Sequence, residues 1–61
     1  MIYKAAYLYD SGAIECGDRI IADTDIDAAF QCRERAIERH ARPFGLHEDR
    51  NGLIRPVDYL A

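Results

Sequence analysis

The chain has 61 residues, with no tryptophan, one methionine, two prolines and two cysteines. Two cysteines allow at most one disulfide, which excludes the disulfide-dense class of small secreted domains. No apolar run approaches the ~18 residues that a membrane-spanning helix needs. The first residues show no basic segment followed by an apolar one, so we expect no secretion signal. We therefore expect a cytoplasmic protein that does not contact a membrane and that keeps Cys16 and Cys32 reduced.

The small size of the chain limits the core that it can build. A chain of this length buries only ~60% of the surface that its unfolded form exposes, so a fold of its own is marginally stable. Natural proteins of this size add disulfides, a metal or a partner subunit. We expect one small α+β domain over residues 1–61 that either forms a homo-oligomer, a dimer in the simplest case, or binds a larger partner.

The net charge is −3, which argues against direct nucleic-acid binding because neutralising phosphates dominates that affinity. The charge is distributed unevenly, since residues 10–27 hold six acids and one base, whereas the arginines concentrate after Ala28. Seven of the eight basic residues are arginine, the residue preferred in interface ion pairs. This distribution favours a protein partner.

The first third of the chain predicts a β-hairpin. A strand pattern runs over residues 2–9, a turn signal follows at Asp10-Ser11-Gly12, and a second strand pattern runs over residues 13–22 with a bend or bulge near Gly17-Asp18. A two-residue turn at Ser11-Gly12 pairs Tyr3 with Ile20, Ala5 with Asp18, Tyr7 with Cys16 and Tyr9 with Ile14. Both faces of this hairpin carry large apolar groups, so either further strands or another chain must cover the second face.

An amphipathic helix is predicted over residues 25–41. Thr24 is the expected N-cap, acids occupy the first turn, arginines crowd the last turns, and Pro43 ends the segment. At 100° per residue one wide apolar stripe forms. It contains Ile26, Ala29, Phe30, Cys32, Ala36, Ile37 and Ala41.

The tail predicts one or two short strands. Asn51-Gly52 is typical of a type I′ turn between a short strand near residues 44–46 and another at residues 53–57. Pro56 confines the last strand to a sheet edge. Val57, Tyr59 and Leu60 are expected to dock the C-terminus. The predicted fold is α+β: an antiparallel hairpin, then one helix, then one or two short strands (ββαβ or ββαββ).

Two polar residues, Arg33 and His40, fall inside the apolar stripe at a separation of two helical turns. Either the Arg33 stem snorkels over the sheet while His40 caps the helix, or Arg33 meets a carboxylate of another chain. We expect an interface that includes Arg33 and His40. The full set of interface candidates adds the other helix charges and one tyrosine: Arg35, Arg39, Asp23, Asp25, Asp27 and Tyr7.

No metal, cofactor or catalytic site is predicted. Asp23, Asp25, Asp27 and Glu34 have the spacing of a calcium-binding EF-hand loop, but Ala28 stands where that loop needs glycine, so we assign these acids to helix capping. The cysteines and histidines lack the short Cys-x₂₋₄-Cys and His-x₃₋₅-His spacing of zinc sites.

Two family resemblances follow from these segments. The run IIADTDIDAA at 20–29, leading into Ala36-Ile37-Glu38, resembles the strand-to-helix step of HicB-type antitoxins, which carry Gly-Asp-Thr-apolar-x-Glu-Ala there. The opening strand with Lys4-Ala-Ala-Tyr7 and the ββα order are similar to some of the small acidic inhibitors that phages use against host defences, anti-CRISPR proteins among them. That resemblance implies a phage-encoded inhibitor that acts by surface complementarity on a larger partner, such as a host defence complex.

Three function classes stay open at this point. The first is a protein-binding module or inhibitor that acts on a larger macromolecular partner. The second is a HicB-type antitoxin-like regulator, and a cognate toxin gene beside it would distinguish this class. The third is a small oligomeric enzyme such as the tautomerases of similar length, which place a proline after Met1 where this chain has Ile2. We favour the first class.

Overall fold

The computed structural model describes residues 1–58 and shows an α+β architecture, with one helix on one face of a four-stranded antiparallel sheet. The elements in chain order are β1 (Ile2–Leu8), β2 (Ile14–Ile21), α1 (Asp25–Glu38), β3 (Arg42–Arg50) and β4 (Leu53–Pro56). The strand order is β2-β1-β3-β4. The α+β class and the N-terminal hairpin are confirmed. β4 is a short strand, as predicted, but β3 is not, because it has nine residues and pairs with β1 in the middle of the sheet.

The β1–β2 hairpin closes through a three-residue loop. The Tyr9 N–H donates to the Ala13 carbonyl at 2.9 Å and the Gly12 N–H donates to the Tyr9 carbonyl at 2.9 Å. Gly12 has a φ of 89°, the left-handed conformation that ends a three-residue hairpin loop. The loop is therefore Asp10–Gly12, which confirms the turn signal at these three residues, and the alternative of a two-residue turn at Ser11-Gly12 is not formed.

A bulge restores the predicted register farther from this loop. Tyr3 pairs with Ile20 and Ala5 with Asp18, as predicted, but Tyr7 pairs with Glu15 instead of Cys16. Cys16 and Gly17 together oppose Ala6, so β2 has one extra residue here, and Gly17 has a φ of 81°. The bulge that was predicted near Gly17-Asp18 is therefore confirmed, one position earlier in the chain. Strand β3 also has a bulge, where it pairs with Ala6 and Tyr7 of β1.

Helix α1 begins as predicted and ends early. The Thr24 hydroxyl accepts the Asp27 N–H at 3.1 Å, which confirms the cap. The helix ends at Glu38 rather than at Ala41 because His40 adopts a φ of 53°. The His40 N–H then donates to the Ile37 carbonyl at 3.0 Å and the Ala41 N–H donates to Ala36 at 2.9 Å, a Schellman C-cap.

The β3–β4 hairpin follows the predicted turn. Asn51 and Gly52 have φ values of 52° and 82°, the positive pair that a type I′ turn requires. β4 lies at the sheet edge, as Pro56 predicts. The Val57 N–H donates to the Leu46 carbonyl at 2.9 Å and the Val57 side chain is buried. The predicted docking of Tyr59 and Leu60 lies outside the described residues.

The core lies between α1 and one face of the sheet. The sheet contributes Tyr3, Ala5, Tyr7, Ile20 and Leu46, all buried. The helix contributes small side chains, Ala28, Ala29, Cys32 and Ala36. The large members of the predicted apolar stripe are outside this core. Ile26, Phe30 and Ile37 are 69%, 59% and 68% exposed.

Candidate interaction surfaces

A line of large apolar side chains runs along the outer side of α1. We call Ile26, Phe30, Arg33 and Ile37 the helix ridge. Their spacing of four, three and four residues keeps them within about 60° on a helix of 3.6 residues per turn. All four residues are exposed. The ridge has the anchor spacing of helices that bind in apolar grooves of other proteins.

Acidic residues lie beside the helix ridge. Asp27, Glu34 and Glu38 are exposed on the flank of the ridge, and Asp23 is exposed just before the helix. Among the ridge residues themselves, Arg33 carries the positive charge. The outer surface of the helix is therefore apolar along its centre and acidic beside it.

The second surface is the sheet face that points away from α1. Side chains alternate between faces along a strand, and Tyr3, Ala5 and Tyr7 point toward the helix. The residues between and beside them, with their cross-strand partners, form what we call the open sheet face: Ile2, Lys4, Ala6, Leu8, Ile14, Arg19, Ile21, Arg42, Gly45, His47, Asp49, Ile54 and Pro56.

Apolar and basic residues alternate in rows across the open sheet face. Ile2 pairs with Ile21 at one end of β1, and Leu8 pairs with Ile14 near the other end. Between them, Lys4 pairs with Arg19 on one side and with His47 on the other, which makes a row of basic side chains. Ile21 is 66% exposed, so the apolar rows meet solvent in the isolated chain.

A polar cluster joins the C-terminal half of α1 to the sheet. Arg35 donates to Asp18 Oδ2 at 3.1 Å, and Arg39 donates to Glu15 Oε1 at 3.1 Å while lying 3.7 Å from Asp18. The buried Tyr7 hydroxyl also donates to Asp18. The Arg39 guanidinium stacks over the Tyr7 ring, with its carbon 4.7 Å from the ring centroid. These contacts form the Asp18 cluster.

A second polar cluster joins the N-terminal turn of α1 to the β3–β4 hairpin. Arg55 donates to Asp25 Oδ1 at 2.7 Å and to Glu48 Oε1 at 3.0 Å. Arg50 donates to the other Glu48 oxygen at 3.1 Å, and the Tyr3 hydroxyl donates to Asp25 at 2.7 Å. Glu48 is the buried charged residue of the core region, 4% exposed. These contacts form the Asp25 cluster.

The clusters perturb the titration of their members. Burial alone would raise the pKa of Asp18, but the hydrogen bonds from Tyr7 and Arg35 outweigh it and lower that pKa. The pKa of Tyr7 is raised, first by burial and then by the hydrogen bond to Asp18. Burial and the hydrogen bond to Asp25 raise the pKa of Tyr3 to about 12. The hydrogen bonds from Arg55 and Tyr3 lower the pKa of Asp25. The Asp18 and Asp25 carboxylates therefore stay ionised at neutral pH and hold the helix to the sheet.

The structure separates the predicted interface candidates into two groups. Arg33, His40, Asp23 and Asp27 are exposed. The other four take part in the clusters described above. Arg35 and Arg39 pair with Asp18 and Glu15, Asp25 pairs with Arg55, and Tyr7 is buried beneath the helix. His40 is the left-handed residue that follows the C-cap Arg39, and it does not continue the helical line of Arg33.

Several residues of these surfaces were not singled out from the sequence. Glu48 and Arg55 face each other because the Asn51-Gly52 turn fixes their register, and that turn was the signal that could have located the pair. The predicted register already placed Asp18 on the face of Tyr3 and Tyr7, but it placed Glu15 on the other face, because the bulge at Cys16-Gly17 shifts the pairing by one residue.

A cleft of about 260 Å³ beside the β1–β2 loop is lined by Leu8, Tyr9, Asp10, Gly12 and Arg42, which include no histidine, cysteine or serine. Within residues 1–58, no three His, Cys, Asp or Glu side chains are placed to hold a metal ion. In the same range no helix is long and apolar enough to cross a membrane.

The chain matches no protein-family model, no curated protein and no solved structure.

Proposed function

We propose that the chain is a small protein-binding module or inhibitor that acts by surface complementarity on a larger protein, with the helix ridge as its contact surface. The observation that carries this proposal is the exposure of Ile26, Phe30 and Ile37 along one line of α1. Apolar contiguous patches on a small soluble domain mark interaction sites. Anchors at this helical spacing suit an apolar groove.

The charges beside the ridge define the chemistry of the partner. Asp27, Glu34 and Glu38 favour a groove with a basic rim, and Arg33 favours one carboxylate near its centre. Proteins that bind nucleic acid carry such basic rims, because they neutralise phosphates. On the resemblance to phage inhibitors, we propose that the partner is a nucleic-acid-binding protein of a host defence complex.

A binding experiment with matched variants tests this proposal. Tagged wild type, Phe30→Glu and Leu53→Glu are used to capture proteins from a lysate of the host cell. Leu53 is 75% exposed but lies outside the ridge, so its variant controls for loss of surface apolarity. A protein retained by the wild type and by Leu53→Glu is purified and titrated by calorimetry.

The expected result is saturable binding that Phe30→Glu weakens about 30-fold or more, the effect of losing an interface hot spot. Added nucleic acid should compete with the chain for this partner. Equal affinity of wild type and Phe30→Glu would contradict the role of the ridge. If the wild type binds no captured protein saturably, the proposed function is wrong.

A further inference from the structure

The open sheet face has the chemistry of a surface that another protein layer covers. Sheets that are apolar on both faces are packed between two layers in stable folds. In residues 1–58, α1 covers one face, and Ile2, Ile21, Leu8 and Ile14 stay on the other. We propose that a second copy of this chain supplies the missing layer by placing its helix ridge on the open sheet face, so that copies associate head to tail.

The dimensions of the two surfaces agree. The 14 residues of α1 span about 21 Å, and the seven residues of β1 span about 23 Å. Four strands at the usual spacing measure about 14 Å from first to last, slightly more than the ~10 Å diameter of a helix. The ridge therefore fits within the borders of the sheet.

The charges of the two surfaces are complementary. The open sheet face carries Lys4, Arg19 and Arg42 against Asp49. The outer helix surface instead carries more acid than base. Its charged residues are Asp23, Asp27, Arg33, Glu34 and Glu38. Contact between the two surfaces brings opposite charges together around apolar side chains, which favours this pairing and its rate of formation.

Symmetric pairings lack this complementarity. A two-fold axis would place open sheet face on open sheet face, or ridge on ridge, because a two-fold interface uses the same patch twice. The first arrangement brings together two basic faces and the second brings together two acidic ones. The head-to-tail contact pairs unlike surfaces instead.

This geometry has a consequence for assembly. The ridge and the open sheet face lie on opposite sides of the chain, so two copies cannot satisfy both surfaces of each other. Head-to-tail contacts of this kind build rings or growing chains rather than closed dimers. One helix laid on one sheet gives a footprint of about 21 by 10 Å, well below the ~800 Å² per partner of a standard interface. We expect weak association that salt weakens further.

The inference shares the helix ridge with the proposed function but adds the open sheet face. Sedimentation equilibrium over a wide concentration range compares the wild type with a ridge variant, Phe30→Glu, and a sheet variant, Arg19→Glu/Ile21→Glu. Leu53→Glu is again the control, and circular dichroism melting verifies that each variant folds. If either variant fails to fold, Glu34→Lys and Arg19→Glu replace the pair, since both side chains are exposed.

The expected result has two parts. The average mass of the wild type and of Leu53→Glu rises with concentration beyond that of a dimer, and each surface variant alone associates at least tenfold more weakly. An equal mixture of the ridge and sheet variants forms a complex of two chains that grows no further, because each variant contributes its intact surface.

Three results would overturn the inference: a wild type that stays monomeric or stops at a dimer, a variant that associates like the wild type, or a mixture that stays monomeric. The sheet variant also separates this inference from the proposed function. It should lose self-association while keeping the affinity for the captured partner.

Discussion

The hydroxyl of Tyr7 offers a direct test of how the helix is held to the sheet. Tyr7 is 0% exposed, and its hydroxyl donates to Asp18, which also accepts from Arg35 at 3.1 Å. Tyr7→Phe keeps the ring and removes the hydroxyl alone. The Asp18 side chain is only 17% exposed, so water cannot fully replace the lost donor.

The expected loss of stability in Tyr7→Phe follows from the charge of the acceptor, the Asp18 carboxylate. Hydrogen bonds to charged groups contribute about 1.5–3 kcal/mol, and because two arginines still contact Asp18, we expect a loss of about 1.5 kcal/mol. A chain of this length has a total stability of about 3–9 kcal/mol. With a urea dependence of about 1 kcal/mol per molar, the unfolding midpoint should fall by about 1.5 M.

Tyr9→Phe is the matched control for this substitution. The Tyr9 hydroxyl donates to Glu15 at 2.6 Å, the same chemistry in an exposed setting, since the Glu15 side chain is 39% exposed. Water replaces that hydrogen bond readily, so the midpoint should hardly move. Equal shifts for Tyr7→Phe and Tyr9→Phe would refute the argument from burial.

The pH dependence gives Tyr7→Phe a second readout. The pKa of Asp18 is lowered in the folded state, so its contribution to stability is present above the unfolded pKa of about 3.9 and is lost as the pH falls through the lower, folded pKa. The stability difference between wild type and Tyr7→Phe should therefore shrink below about pH 4. A difference that persists at low pH would mean that the Asp18 carboxylate is not the relevant partner.

Three further perturbations test other parts of the fold. His40→Gly should raise stability by about 0.5–1 kcal/mol, because glycine adopts the positive φ of this position after the C-cap without strain. The melting temperature should rise by about 4 °C, and an unchanged temperature would mean that His40 is not strained. Thr24→Ala should lower stability by about 1 kcal/mol through the lost N-cap, and the same melting assay would show no change if Thr24 does not cap. The pKa of Tyr3 is raised to about 12, so the unfolded state loses this proton first, and urea midpoints should decline from about pH 10 toward pH 12. Tyr3→Phe should flatten that decline.

Local signals predicted most of the backbone. Thr24 marks the helix start because its hydroxyl caps a free N–H, and Asn51-Gly52 marks a hairpin because both residues tolerate positive φ. These signals depend on neighbouring residues alone. The shorter helix was missed because His40 is a weak stop signal: histidine adopts positive φ more often than most non-glycine residues, but still uncommonly.

The burial of the helix was only partly predictable from its own periodicity. The predicted stripe contained three of the buried residues, Ala29, Cys32 and Ala36, but it missed Ala28 and included the exposed Phe30 and Ile37. A helical wheel takes account of the hydrophobicity of each side chain. It does not take account of the space that the facing sheet leaves for that side chain. That space is set by Tyr3 and Tyr7, which lie elsewhere in the chain.

The tyrosines of β1 also explain why the two candidate surfaces exist. Tyr3 and Tyr7 fill the space above the sheet, so α1 approaches with alanine and cysteine and turns its large side chains outward. Each tyrosine is amphipathic, and its hydroxyl anchors a carboxylate at one end of the helix, Asp25 or Asp18. Aromatic rings thus fill the core, and ion pairs within the same chain hold the helix to the sheet. Ile26, Phe30 and Ile37 therefore stay exposed on the outer side of α1, which is the surface that the proposed binding uses.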